Sequence, residues 1–189
     1  MIIGITGVAT AGKDSVADTI VTMFPNFVKR GWADALRRDM QILNPIVAVE
    51  ETFDYVAGVP RKPQPVTYRD AIERYGYNGA KAKYAEVRRL IQVYGTEVHR
   101  SANENFWIDR TFDTLEPFVN YVFADTRFPN EAAACDKLIL VTRPGVVAVN
   151  DHVSDAGLVF DLADATIVND GGLDELGEKV WPLILGWLG

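Results

Sequence analysis

This sequence predicts an α/β fold, a five-stranded parallel sheet flanked by helices, on three observations. Short apolar runs alternate with helical patterns, a glycine-rich loop stands between the first strand and the first helix, and the surplus chain lies in one block. Residues 1–6 are the first apolar run and 7–12 the loop. Beyond Asp14, Val16, Ile20 and Met23 recur at three- to four-residue spacing until Pro25 stops the pattern, which is that of a helix. Residues 27–29 read as a second strand and 33–43 as a second helix, ended by Asn44 and Pro45. The stretch 45–64 reads as irregular, because Gly58, Pro60, Pro63 and Pro65 discourage any long element. Helices are expected at 67–75, from a Thr67 cap, and at 82–94, with Gly95 interrupting the second. Residues 121–124, 138–142 and 164–168 supply the remaining strands, 131–135 a short helix and 173–188 the last one. The long block between the second and third strands is read as a helical insertion over the carboxyl edge of the sheet, where open α/β folds bind ligands.

A chain of 189 residues, 48% of them hydrophobic, suits one compact domain with a substantial core. Gly7, Lys13, Asp14 and Asp18 break up the apolar start, and no basic segment precedes it, so a secretory leader is not expected. No apolar run reaches spanning length, so neither is a membrane span, and the expected location is the cytoplasm. The net charge of −7 argues against a general nucleic-acid surface. The single cysteine, Cys135, excludes an intramolecular disulfide and a cysteine-based zinc cage and reads as a small apolar group on a helix. His99 and His152 have no ligand-spaced companions, and no Ser-His-Asp or Cys-His arrangement stands out.

The strongest local signal is Gly7-Val8-Ala9-Thr10-Ala11-Gly12-Lys13-Asp14-Ser15. It carries the G-x-x-x-x-G-K core of a Walker A loop in the required context, after a strand and before a helix, which makes the fold that of a P-loop NTPase. Its glycines let backbone N–H groups turn inward onto phosphate oxygens, and the helix N-terminus adds positive charge. Lys13 would bridge the β- and γ-phosphates. Asp14 stands where Ser or Thr usually ligates magnesium, and two readings follow. Either Ser15 contacts phosphate while Asp14 holds Mg2+ through water, or Asp14 serves as a helix N-terminal charge.

Asp125 ends an apolar strand, the place of a Walker B acid that helps to hold magnesium. Arg127 lies two residues on and is a candidate bidentate phosphate clamp. Arg88, Arg89, Gln92, Thr96 and Arg100 fall at helical spacings within the insertion. Trp32, Tyr94 and Trp107 could stack on a nucleobase, although core packing is the commoner fate of an aromatic ring.

Several segments together resemble the deoxynucleoside monophosphate kinases of bacteriophages. They are residues 7–15 with the GKDS ending, 32–37 (WADALR), 89–97 (RLIQVYGTE) with Arg100, 125–131 (DTRFPNE), 152–155 (HVSD) and 169–172 (NDGG). The resemblance implies a core sheet, a monophosphate-binding insertion at about 31–118 and a short lid at about 143–157. It implies transfer of the γ-phosphoryl of ATP to a deoxynucleoside monophosphate with Mg2+, giving ADP and a diphosphate. Lys13, Asp125, Arg127 and Arg37 would be catalytic, with Arg37 standing where relatives often show Lys. Ala9, Ala11, Gly12, Lys13, Asp14, Ser15, Arg143, Asn169 and Gly171 would hold ATP, and Asp14, Ser15 and Asp125 the metal, directly or through water. Trp32, Asp34, Arg37, Arg89, Gln92, Thr96, Glu97, Arg100, Trp107 and Arg127 would hold the monophosphate. Partners would be small nucleotides, with neither nucleic acid nor membrane; a homodimer is left open. The rival readings are a P-loop kinase of another small acceptor, such as a nucleoside or dephospho-coenzyme A, and a nucleotide-binding switch. No N-K-x-D guanine-reading motif supports the switch.

Overall fold

The computed structural model describes residues 1–51, 53–54, 58–60, 62–146 and 159–189. The chain opens with β1 (Ile2–Thr6), α1 (Lys13–Met23), β2 (Phe27–Arg30) and α2 (Asp34–Leu43). Four short strands follow, β3 (Ile46–Glu50), β4 (Phe53–Asp54), β5 (Val59–Pro60) and β6 (Gln64–Thr67). Next come α3 (Tyr68–Lys83), α4 (Ala85–Gln92), a π-helix (Val93–Arg100) and α5 (Phe106–Phe112). The chain closes with β7 (Asn120–Phe123), α6 (Pro129–Ala133), β8 (Lys137–Thr142), a 3-10 turn (Phe160–Leu162), β9 (Ala165–Val168) and α7 (Leu173–Leu188). Two compact units result, one of Met1–Ala33 with Ile108–Gly189 and one of Asp34–Trp107.

The first unit holds the predicted five-stranded sheet, in the order β2-β7-β1-β8-β9 and parallel throughout. Side chains alternate along each strand, so the sheet has two apolar faces. Ile3 and Ile5 of β1 join Val122, Ile139, Val141 and Ile167 beneath α1 and α7, which contribute Val16, Ala17, Ile20, Leu176, Val180 and Ile184. Tyr121 and Phe123 of β7 pack instead with Trp32 and Ile108. The Trp32 and Phe123 rings stack with centroids 4.1 Å apart. Each fully buried Ile or Val contributes about 1.5–3 kcal/mol through removal from water. The strands are therefore fixed mainly by what covers them. β1 lies between β7 and β8, so the loops leaving the carboxyl ends of β1, β7, β8 and β9 emerge along one edge.

The second unit has its own core, built from Ala35, Leu36, Met40, Val47, Val66, Tyr68, Ala71, Ala80, Tyr84, Val87 and Trp107. Here the structure corrects the sequence reading in three places. Residues 45–64 are not simply irregular: β3 pairs antiparallel with β6, and β4 with β5. The prolines are tolerated because such two-stranded ribbons are all edge, and Pro65, opposite Val49, needs no N–H partner. The helix from Thr67 ends near residue 75 as read, at Gly76, whose φ of 66° and ψ of 172° are not helical and suit a residue without a Cβ. A second helical segment, which the sequence reading missed, runs on to Lys83. Gly95 does not end the next helix; the chain passes through it as the π-helix. Gly95 is small for packing, since a Cβ there would come within 2.8 Å of Leu36 Cδ2.

Most of the expected lid, including 152–155, falls outside the described residues, which cover only Arg143 to Val146 of it. No helix among the described residues is long and apolar enough to cross a membrane.

Candidate functional site

The loop after β1 has the backbone of an anion cradle. Gly7 and Gly12 take φ values of 143° and 98°, and Thr10, with a side chain, is held at 67°. A non-glycine residue at positive φ stores strain of the kind that collects at ligand-binding loops. Gly12 caps α1 without any side-chain bond, so the first turn presents its N–H groups unshielded by a capping side chain. Lys13 Nζ reaches back across the loop and donates to the carbonyls of Gly7 (2.7 Å) and Val8 (2.9 Å). The ammonium is thus folded back onto the start of the loop. Ala11 is fully buried, whereas Ala9 is exposed.

Asp14 lies in the first turn of α1. Its carboxylate meets Lys29 Nζ of β2 at 2.8 Å, and Asp18, one turn on, meets the same ammonium at 2.9 Å. Burial works against the Lys29 charge, but the two carboxylates outweigh it and raise its pKa above the usual 10.5. The pair sits at the start of α1, where a carboxylate is favoured by the helix N-terminus. Lys29 had no signal in the sequence, because the pairing depends on β2 lying beside α1.

Asp125 follows β7 on the same sheet edge, and its carboxylate accepts the backbone N–H of Trp32 (2.8 Å) and of Ala33 (3.4 Å). Trp32 is buried, and its indole N–H donates to Thr126 Oγ1 at 3.1 Å. Arg127 is exposed. Its backbone is not loose, because Glu131, only 3% exposed, accepts the N–H of Arg127 (2.8 Å) and of Phe128 (3.2 Å). Glu131 entered the sequence reading as the last letter of a motif and the first residue of a short helix, with no role assigned. A Glu two residues after Pro129, at the third position of a helix, was the available clue.

After β8, Arg143 is exposed and its carbonyl accepts the Val146 N–H. After β9, Asn169 is buried and donates from Nδ2 to the Ala11 carbonyl at 2.9 Å. Gly171 is exposed in the turn that leads into α7. Lys13, Asp125, Arg143 and Asn169 therefore all stand at the carboxyl ends of strands in one sheet.

Within the second unit, Asp34 and Arg37 pair at 2.9 Å, and the Arg37 guanidinium sits 4.6 Å from the centre of the Tyr77 ring. Lys81 lies over the same ring at 5.0 Å. Tyr77 and Lys81 were not picked out from the sequence; the break at Gly76 starts the helical segment that carries both. Buried Tyr68 has its hydroxyl pKa raised to about 12, by burial first and then by Tyr77. Arg89 is engaged by Glu86 through two bonds of 2.6 and 2.7 Å, which lower the Glu86 pKa and raise that of Arg89. Gln92, Thr96 and Glu97 are exposed and Arg100 half-buried. Trp107 is core, with its indole N–H on the Gly95 carbonyl at 2.9 Å. His99 stacks on Phe106 with 4.2 Å between ring centres and meets Tyr94 and Trp107 edge-on. No group of three His, Cys, Asp or Glu side chains suited to a metal ion occurs among the described residues.

Comparison with known proteins extends this picture. A sequence model of the family described as Deoxynucleotide monophosphate kinase matches residues 33–180. The enzyme of that name from Enterobacteria phage T4 is 34% identical over 104 residues, covering 50% of this chain and 43% of the relative. Its counterpart from Escherichia phage RB69 is 32% identical over the same coverage. The matched stretch thus spans less than half the length of these curated relatives. Two solved structures are similar across nearly the whole chain. Dephospho-CoA kinase from Campylobacter jejuni is 12% identical with a TM-score of 0.46, covering 98% of this chain and 96% of its own. TT1252 from Thermus thermophilus is 15% identical with a TM-score of 0.48, covering 100% and 98%.

Proposed function

The chain belongs to the deoxynucleotide monophosphate kinase family, and from that premise we propose that it transfers the γ-phosphoryl of ATP to a deoxynucleoside monophosphate, giving ADP and a deoxynucleoside diphosphate. The observation that carries this reading is the strained loop at residues 7–13 with Lys13 folded back onto its carbonyls. That loop lies outside the matched stretch 33–180, so it supports phosphate chemistry independently of the family match.

Such a transfer has little covalent work for the protein to do; positioning and charge neutralisation dominate. The loop N–H groups would hold the donor phosphates, and Lys13 would leave the carbonyls of Gly7 and Val8 for phosphate oxygens. Arg127 would clamp phosphoryl oxygens from an exposed position whose backbone Glu131 fixes. In the second unit, Arg37 and Lys81 gather positive charge suited to the acceptor's phosphate. Magnesium in such sites is held largely by substrate phosphates and water, with one or two protein oxygens. Asp14, Ser15 and Asp125 would hold it, directly or through water, and the metal would supply neutralisation of the β- and γ-phosphate charge. The proposed place of action is the cytoplasm, the host's where the gene is viral.

The test is a coupled ADP-release assay with Mg-ATP and each common deoxy- and ribonucleoside monophosphate. ADP release that requires a deoxynucleoside monophosphate, and disappears in Lys13→Ala with the fold intact by circular dichroism, is the expected result. A folded protein that binds ATP yet turns over no monophosphate would refute the assignment of the acceptor. Retained turnover in Lys13→Ala would refute that of the loop.

A further inference from the structure

The turn after β9 is tied into the phosphate loop, and we propose that Asn169 is a positioning residue that sets the shape of the polyphosphate cradle rather than reading the base of the donor nucleotide. The inference rests on the reading of residues 7–15 as the donor phosphate site. Its starting point is a buried bond between residues 158 apart in sequence: Asn169 Nδ2 donates to the Ala11 carbonyl at 2.9 Å. Asn169 is 7% exposed and Ala11 fully buried, so water cannot replace this bond, and losing the donor would strand a carbonyl in the interior.

Two features make the contact specific. Gly12 meets the Asn169 side chain so closely that any Cβ at position 12 would collide with Nδ2. The amide therefore packs against the residue that caps α1 and turns the chain toward Lys13. Asn169 is itself held on both sides. Its backbone N–H bonds the Thr142 carbonyl at 2.8 Å, extending the β8–β9 ladder by one rung. Lys179 of α7 donates to the Val168 carbonyl at 2.8 Å and pairs with Asp170. A chain of contacts thus runs from α7 through the turn to the phosphate loop, and all of it lies in the first unit.

The two roles separate on a ligand that has phosphates but no base. Binding of ATP and of inorganic tripolyphosphate would be measured by calorimetry in EDTA, which keeps metal handling out of the comparison. Asn169→Ala is expected to weaken both ligands by the same factor, about tenfold for one buried hydrogen bond. Asn169→Asp is expected to weaken both further, because a carboxylate would face the Ala11 carbonyl. Lys179→Met, which loosens the turn from α7, should move both affinities in the same direction by less, and it serves should the Asn169 variants fail to fold. A loss confined to ATP, with tripolyphosphate unchanged, would show that Asn169 contacts the base and would overturn the proposal while leaving the donor site standing. Wild-type protein that binds neither ligand would overturn the donor-site reading and the proposal with it.

Discussion

Glu131 shows how much of this site depends on side chains that need touch no substrate. Its carboxylate is almost wholly buried, and burial of a charge is tolerated only when hydrogen bonds replace water. Here the backbone N–H groups of Arg127 and Phe128 do so, which fixes the turn carrying the exposed arginine. Glu131→Ala should cost about 2 kcal/mol through the two stranded donors. It should also lower kcat while leaving the KM for ATP near its wild-type value. Glu131→Gln keeps an acceptor oxygen and should recover most of kcat. If Gln and Ala lose activity equally although Gln melts like wild type, the carboxylate has a role beyond holding the turn. Cys135 is the contrasting case. It is a small group packed near Gly4, and burial, with Glu131 next, pushes its thiol up to about 12, in keeping with an inert packing role.

Among the elements, α3 has a start and a break near residue 75 that are legible from sequence, and a second segment that is not. The Thr67 hydroxyl accepts the Asp70 N–H, and the Asp70 carboxylate accepts the Thr67 N–H at 2.9 Å and its hydroxyl at 2.7 Å. A Thr followed by an acid three residues later is a local signature, which is why the cap could be read in advance. The helical segment beyond Gly76, the ribbon of β3 and β6, and the passage of the π-helix through Gly95 could not. Gly and Pro mark where a helix or strand is weakened, and packing against residues such as Leu36 decides whether it continues. The Lys29 pairing with Asp14 and Asp18 was equally hidden, since it exists only once β2 and α1 are placed. The cap carries a pH prediction. Hydrogen bonds from the Thr67 backbone first, and then from its side chain, hold the Asp70 carboxyl below its ordinary 3.8. Its stabilisation is therefore fully present above that value and fades as pH falls through the depressed one. Thr67→Ala should cost about 1 kcal/mol at neutral pH, typical of a lost Thr cap. It should also move the Asp70 titration, followed by carboxyl carbon NMR, up toward 3.8. A titration that stays where it was would mean that the hydroxyl takes no part in holding the carboxylate.

Taken whole, the molecule divides into two compact units, each with its own core. The alternation of strands and helices made the parallel sheet legible from sequence, because each strand is a short apolar run whose two faces are both covered. The glycine-rich loop was legible because its spacing marks where the backbone needs positive φ, as Gly7 and Gly12 adopt. The second unit resisted reading because its core is drawn from short, unlike pieces with no common period, from Ala35 through Val66 to Trp107. Among the described residues, the sheet cluster and this cluster share no member, so damage to one need not pass to the other. Val87 is fully buried in the second, and Val87→Ala removes two methyl groups at a cost of about 2 kcal/mol. Hydrogen exchange should then quicken through residues 34–107 while β1, β7 and β8 keep their wild-type protection. ATP affinity should stay unchanged, and affinity for the monophosphate should fall, since Arg37 and Lys81 ride on that unit. Exchange that quickens equally in the sheet would mean that the two cores melt as one cooperative body. The monophosphate would then lose its binding through global unfolding, and ATP would lose its own to the same degree.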